Sequence, residues 1–135
     1  LGALVTLEAA RRGVTAPLVL VAPALGFGSR WTEKLAPGDP VRFYHHGQEK
    51  DLEIHRRFFE EMARIQVDRE PPAQKVSVLM GEQDESVPFV GVAATWRQWQ
   101  AAGSLAHGSR FVAIHDGDHG LIGFVDQIAE AIRAS

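Results

Sequence analysis

Three short apolar runs, separated by segments with helical periodicity, constrain the fold of this 135-residue chain more than any other feature. The runs cover residues 18–22, 76–80 and 111–114 and are rich in Val, Leu, Ile and Ala. Runs that are apolar throughout, rather than alternating, are typical of strands buried on both faces of a parallel sheet. We therefore predict an α/β fold in which a parallel sheet is flanked by helices in three layers.

Four predicted helices alternate with these strands. They cover residues 1–12, 51–66, 88–102 and 121–134. Gly13 is the expected stop after the first helix, Asp51 the expected N-cap of the second, and Pro88 the first residue of the third. The fourth helix is predicted from an apolar stripe that consists of Leu121, Val125, Ile128 and Ile132.

Composition narrows the function classes. With 45% hydrophobic residues the chain can bury a core, and its length suits one domain. With 14 basic and 17 acidic side chains, the chain lacks the excess of positive charge that is typical of proteins that bind nucleic acid or an anionic membrane. No apolar run approaches the roughly 18–20 residues of a membrane-spanning helix. The absence of cysteine excludes a thiol nucleophile, a disulfide and a Cys-ligated zinc, and it suits a cytoplasmic protein.

Residues 23–50 interrupt the alternation of strands and helices. This segment contains Gly and Pro together with the aromatic residues Phe27, Trp31, Phe43 and Tyr44. It is too long for a simple connection, so we predict a lid-like insertion into the single domain formed by residues 1–135. An aromatic lid over a site would favour apolar acyl or aryl substrates, although the same residues could equally cover the sheet.

The first residues of the chain lack the features expected of a natural start. Leu1 takes the place of an initiating methionine, and no N-cap residue precedes the first predicted helix. The strand at 18–22 would also leave an apolar edge unpaired unless another strand lay beside it. We expect this chain to be a fragment that lacks a neighbouring piece of the sheet.

Candidate catalytic residues follow the second and third apolar runs. Asp84 comes just after residues 76–80, and His119 lies in a glycine-flanked turn after residues 111–114. Loops at the carboxyl ends of parallel strands meet at one edge of a sheet. An acid followed by a histidine at that edge matches the second and third members of a Ser–Asp–His triad. In such a triad the imidazole takes the proton of the nucleophile and the carboxylate orients the imidazole.

The two motifs, Gly-Glu-Gln-Asp84-Glu-Ser-Val-Pro and Gly117-Asp118-His119-Gly120, resemble the C-terminal half of α/β-hydrolase-fold serine esterases. The motifs resemble in particular those of small bacterial esterases of the YqiA type and of their dienelactone-hydrolase-like relatives, and the resemblance covers essentially the whole chain, which would then lack the N-terminal half of the fold. It implies that Asp84 is the triad acid, that His119 is the base, and that the backbone N–H of Leu1 is an oxyanion donor. The nucleophilic serine would then immediately precede Leu1, in a Gly-x-Ser-x-Gly turn.

The resemblance implies a carboxylesterase-like enzyme that acts on a small-molecule ester or thioester without a cofactor. A non-catalytic binding module with the same fold is the alternative, and an Asp in place of the serine would imply a dehalogenase- or epoxide-hydrolase-like reaction. Asp116 and Asp118 are alternative acids. His115, Asp116, Asp118 and His119 also offer side chains that can bind a metal, but their spacing matches no zinc pattern, so we predict no metal.

Overall fold

The computed structural model describes residues 2–26, 38–45 and 49–134. Its elements, in chain order, are α1 (Gly2–Arg11), β1 (Leu18–Val21), β2 (Val41–His45), β3 (Lys50–Ile54), α2 (Arg56–Arg64), β4 (Val76–Gly81), α3 (Phe89–Ala101), β5 (Arg110–Ile114), a short 3-10 helix (Ile122–Phe124) and α4 (Val125–Arg133). The chain divides into two compact units, one formed by residues 1–26 with 67–135 and the other by residues 27–66. Within the described ranges, no helix is long and apolar enough to cross a bilayer.

The larger unit contains a three-stranded parallel sheet in the order β1-β4-β5. Leu79 in the central strand is in register with Val21 on one side and with Val112 on the other. All six residues of β4 are buried, as expected for a strand with neighbours on both sides and helices on both faces. The predicted α/β fold with a parallel sheet is therefore confirmed.

Alternating side chains in β5 separate the two faces of the sheet, because successive residues of a strand point to opposite faces. Phe111 contacts Phe89 and Trp96, with ring centroids 5.8 Å apart in both pairs, so α3 covers one face. Val112 on the opposite face packs against a cluster that includes Leu121 and Ala131, which places α4 there. The helices that follow the two candidate catalytic turns thus lie on opposite faces of the sheet.

The predicted apolar stripe of the last helix is only partly correct. Leu121 is fully buried, but Val125 is 61% exposed and Ile132 58% exposed, whereas Ala131 is buried. The segment begins with a 3-10 turn at Ile122–Phe124 before α4. A 3-10 helix has about 3.0 residues per turn and an α-helix about 3.6, so the change of helix type rotates the buried face away from the predicted stripe.

In the smaller unit, β2 and β3 form an antiparallel pair in which Val41 is opposite Ile54. The prediction that Asp51 caps a helix over 51–66 is wrong, because Asp51 lies within β3 and the helix is α2. The segment from Asp51 to Ile54 alternates polar and apolar residues, which is a strand period, and its pairing with β2 satisfies the backbone groups. The carboxylate of Asp39 instead accepts the Arg56 N–H at the start of α2, at 2.9 Å.

The structure describes only part of the predicted lid-like insertion over residues 23–50. Phe27 and Trp31 lie outside the described residues, and the structure describes the backbone but not the side chains of Phe43 and Tyr44. The role of this segment as a lid stays a prediction.

Candidate active site

Asp84 lies in the turn between β4 and α3, and its carboxylate is completely shielded from solvent, with a side-chain exposure of 0%. Its Oδ1 atom accepts the backbone N–H of Ser86 at 2.9 Å and that of Val87 at 2.7 Å. Asp favours such turns because its side chain can bond to the backbone two or three residues ahead. These two bonds fix the orientation of the carboxylate and leave Oδ2 for another partner.

That partner is His119, in the turn that follows β5. Its Nδ1 atom is 2.8 Å from Asp84 Oδ2. An ionised carboxylate can only accept hydrogen bonds, so this contact assigns the proton of a neutral imidazole to Nδ1 and leaves the lone pair on Nε2. The imidazole is 50% exposed, and Nε2 has no hydrogen-bond partner among the described residues. The sequence prediction that Asp84 and His119 meet is therefore confirmed, and Nε2 is free to accept a proton.

Two glycines allow the turns to approach this closely. A Cβ added to Gly81 would lie 2.5 Å from the backbone carbon of Gly117 and 2.8 Å from the carbonyl oxygen of Asp118. A Cβ added to Gly117 would in turn lie 3.0 Å from the Cα of Gly81. Backbone hydrogen bonds also join the two turns, from the N–H of Glu82 to Ile114 O at 2.9 Å and from the N–H of Gln83 to Gly117 O at 3.0 Å.

Asp118 stabilises the turn that carries His119. Its Oδ1 atom accepts the backbone N–H of Leu121 at 2.9 Å. Leu121 has a φ of 48°, in the left-handed region that is unusual for a leucine, and its side chain is fully buried. The buried Leu121 and the hydrogen-bonded Asp118 therefore fix both sides of the turn that carries His119. The Asp118 carboxylate is thus bonded to the turn, whereas the imidazole of His119 is bonded to Asp84.

A second acid–histidine pair joins the same two turns. His115 Nδ1 lies 2.7 Å from Glu82 Oε2, and the imidazole is 86% exposed. The hydrogen bond that His115 donates to Glu82, together with the nearby negative charges of Asp116 and Glu82, raises the pKa of His115 above its ordinary value of 6.5. Asp116 approaches the side-chain amide of Gln83, at 3.4 Å. Neither predicted alternative acid, Asp116 or Asp118, is therefore the carboxylate bonded to His119.

Two further predictions from the sequence concern an oxyanion donor and a metal. Leu1, whose N–H is the predicted oxyanion donor, lies outside the described residues. Within the described ranges, no group of three or more His, Asp or Glu side chains is arranged to hold a metal ion. His115 and His119 instead each pair with a separate carboxylate.

Sequence reasoning missed the close contact of Gly81 with Gly117 and the pair formed by Glu82 and His115. The glycines carried a detectable signal, because each follows a predicted strand at the edge where the turns converge. Glu82 directly follows β4, and His115 directly follows β5. Their contact depends on the register of β4 with β5, which the chain does not encode as a local pattern.

Comparisons with known proteins bear on the fold. Neither a family model nor a curated protein sequence matches the chain. Three solved structures do: a provisionally named hydrolase from Agrobacterium vitis S4 (21% identity, TM-score 0.73), the esterase domain of a Rhodothermus marinus protein (17%, 0.61) and mouse alpha/beta hydrolase domain-containing protein 10 (20%, 0.57).

These matches cover 98%, 96% and 94% of this chain but only 56%, 53% and 58% of the respective neighbours. The chain therefore spans little more than half the length of the structures that it resembles. Its parallel sheet, with helices on both faces, is consistent with the C-terminal portion of those structures. The fold of these residues is that of an α/β hydrolase.

Proposed function

We propose that the protein containing this chain is a serine hydrolase that cleaves carboxylic esters through a Ser–Asp–His triad. The observation that carries the proposal is the 2.8 Å contact between the buried Asp84 carboxylate and Nδ1 of His119. The fold shared with an esterase domain and with two further hydrolase-type structures supports the same reaction class. Fold alone does not determine function, so the geometry of the pair is the stronger argument.

Each residue has a defined role in this reaction. The serine oxygen attacks the ester carbonyl while Nε2 of His119 accepts the serine proton, and the same proton then passes to the leaving alcohol. A water molecule opens the resulting acyl-enzyme by the same route in reverse. Asp84 holds the imidazole in the tautomer with Nδ1–H and stabilises it once it is protonated. Backbone N–H donors would stabilise the oxyanion, each contributing about 2.7–4 kcal/mol.

We propose that the nucleophile comes from a part of the protein outside the described residues. Among those residues, no serine hydroxyl is hydrogen-bonded to His119. The solved neighbours are nearly twice as long as this chain, so a full-length hydrolase of this fold contains a further segment. We propose that the serine immediately precedes Leu1 and that the Leu1 N–H contributes to the oxyanion hole.

The test uses the complete natural protein, a fluorophosphonate probe and a p-nitrophenyl ester. The wild-type protein should be labelled at one serine upstream of residue 1 and should hydrolyse the ester. Asp84→Asn and His119→Ala should reduce kcat by roughly 10⁴- to 10⁶-fold, because the first places the imidazole in the wrong tautomer and the second removes the base.

The chain offers matched controls at the same sheet edge. His115→Ala removes a histidine that pairs with Glu82, and Asp116→Asn changes a carboxylate that is not bonded to His119. Both variants should retain kcat within about threefold of wild type, since surface substitutions of this kind cause small effects. A wild-type protein that is neither labelled nor active would contradict the proposal, and so would a His119→Ala variant with unchanged turnover.

A further inference from the structure

Asp68 is a buried acidic residue with no part in the proposed triad. It is 8% exposed and is the second residue after the unit formed by residues 27–66. Its Oδ2 atom accepts the backbone N–H of Gly26, the residue directly before that unit, at 2.6 Å. Its own carbonyl oxygen accepts the indole N–H of the fully buried Trp99 at 2.8 Å. One carboxylate therefore joins the two points at which the chain leaves and re-enters the larger unit.

The turn that Asp68 holds has an unusual backbone. Ala22, directly after β1, has a φ of 44°, and Gly26 has a φ of 69°. A left-handed conformation is costly for alanine, so it persists only where the surrounding structure determines it. Pro23 and Leu25 are buried, and the N–H of Leu25 donates to Pro23 O at 2.8 Å. The bond from Gly26 to Asp68 fixes the last residue of this strained turn, which we call the β1 turn (residues 22–26).

The β1 turn lies beside the turn that carries Asp84. β1 and β4 are neighbouring parallel strands, so their carboxyl ends are at the same edge of the sheet. The N–H of Ala22 donates to Leu79 O in β4 at 2.9 Å, which continues the sheet bonding into the first residue of the β1 turn. A displacement of the β1 turn would therefore alter the edge of the sheet next to the triad acid.

We propose that Asp68 is a positioning residue that holds the β1 turn against the active-site edge and thereby sets the affinity for the ester substrate. The inference rests on the proposed function. Asp68 acts on the substrate only through the β1 turn, because its carboxylate is bonded to Gly26, whereas the hydrogen bond of the triad pair joins Asp84 to His119. The geometry of the Asp84–His119 pair is held independently by the bonds between the turns after β4 and β5.

The test compares Asp68→Ala with Asp68→Asn in the complete protein. The Asn carbonyl oxygen can still accept the Gly26 N–H, whereas Ala removes the side-chain oxygen that accepts this bond. Asp68→Ala should raise KM for the p-nitrophenyl ester about tenfold and change kcat less than about threefold, as expected when substrate positioning is lost but the reacting groups are intact. Asp68→Asn should restore KM to within about threefold of wild type.

Two further measurements separate positioning from a general loss of structure. Fluorophosphonate labelling reports the nucleophile and its base, so its rate should be unchanged in both Asp68 variants. Asp126→Ala, at an exposed position on α4, is the matched control and should leave KM at the wild-type value. If Asp68→Ala does not fold, Asp68→Ser replaces it, because the serine side chain is too short to reach the Gly26 N–H. The proposal is overturned if KM does not rise in Asp68→Ala or its substitute, if KM in Asp68→Asn does not return to near the wild-type value, or if kcat and the labelling rate fall together.

Amide hydrogen exchange at Gly26 makes the test independent of catalysis. The exchange rate should rise at least about tenfold in Asp68→Ala and stay near wild type in Asp68→Asn, because the protecting bond is lost only in the first. If the wild-type protein shows no esterase activity, the proposed function fails, and exchange at Gly26 still reports whether Asp68 holds the β1 turn. Equal exchange in wild type and Asp68→Ala would overturn the role of Asp68 even in an active enzyme.

Discussion

Substitution of Gly81 by alanine tests whether the close approach of two turns is what assembles the site. The new Cβ would lie 2.5 Å from the backbone carbon of Gly117 and 2.8 Å from the carbonyl oxygen of Asp118. Carbon atoms in contact are normally about 3.5–4.0 Å apart, so the two turns must separate by about 1 Å. The neighbouring atoms belong to the backbone, so no side chain can simply rotate away.

The expected consequence follows from the hydrogen bond between Asp84 and His119. A separation of about 1 Å added to the present 2.8 Å would exceed the range of a hydrogen bond. Misplacement of catalytic groups by about 1 Å can reduce the rate about 100-fold. We therefore expect Gly81→Ala to reduce kcat/KM about 100-fold and the free energy of unfolding by about 1–3 kcal/mol, the usual cost of overpacking.

The assay is ester hydrolysis by the complete protein, together with urea unfolding of the same samples. Gly123→Ala is the control, because a Cβ at Gly123 meets no atom within 4 Å and the residue lies in the 3-10 helix close to His119 along the chain. It should change the free energy of unfolding by no more than about 0.5 kcal/mol and leave kcat/KM unchanged. Equal activity in the Gly81 and Gly123 variants would refute the argument that glycine is required for the approach of the turns.

Two further predictions concern charge and packing. Glu82→Gln should lower the pKa of His115 toward 6.5, as measured by NMR titration, whereas Glu85→Gln should leave it unchanged. Since the pKa of His115 is raised in the folded protein, the pair stabilises the fold below about pH 6.5, and this stabilisation is lost as the pH rises through the raised pKa. An unchanged pKa of His115 in Glu82→Gln would contradict the conclusion that Glu82 raises it. Leu79→Ala, at a fully buried position in the central strand, should reduce the free energy of unfolding by about 2–5 kcal/mol in a denaturant titration, against less than about 0.5 kcal/mol for the exposed Val5→Ala. Similar losses in those two variants would show that β4 is not at the centre of the core.

The three strands of the parallel sheet were predictable because each has a strong local sequence signal. The runs that became β1, β4 and β5 are apolar at nearly every position, and such runs are seldom compatible with anything but burial. Asp84 and His119 follow two of these strands, and parallel strands bring their carboxyl ends to one edge. Their encounter could therefore be predicted without knowledge of any long-range distance.

Patterns that are compatible with two structures were less informative. Asp51 precedes both a polar–apolar alternation and a helical segment, and pairing with β2 determined that it lies in a strand. Val125 fits the helical period that starts at Leu121, but the intervening 3-10 turn rotates it toward solvent. In both cases the local propensities were nearly balanced, and contacts with other elements determined the outcome.

The sequence by itself determined which side chains follow each strand of the parallel sheet, because these strands form from local apolar runs. Three-dimensional packing alone determined which groups meet. Asp68 accepts a bond from Gly26, 42 positions earlier in the chain, and the turns at Gly81 and Gly117 approach until no side-chain atom fits between them. Such contacts depend on strand register and on distances of a few ångströms between remote segments. Neither the strand register nor these distances can be predicted from a local sequence pattern.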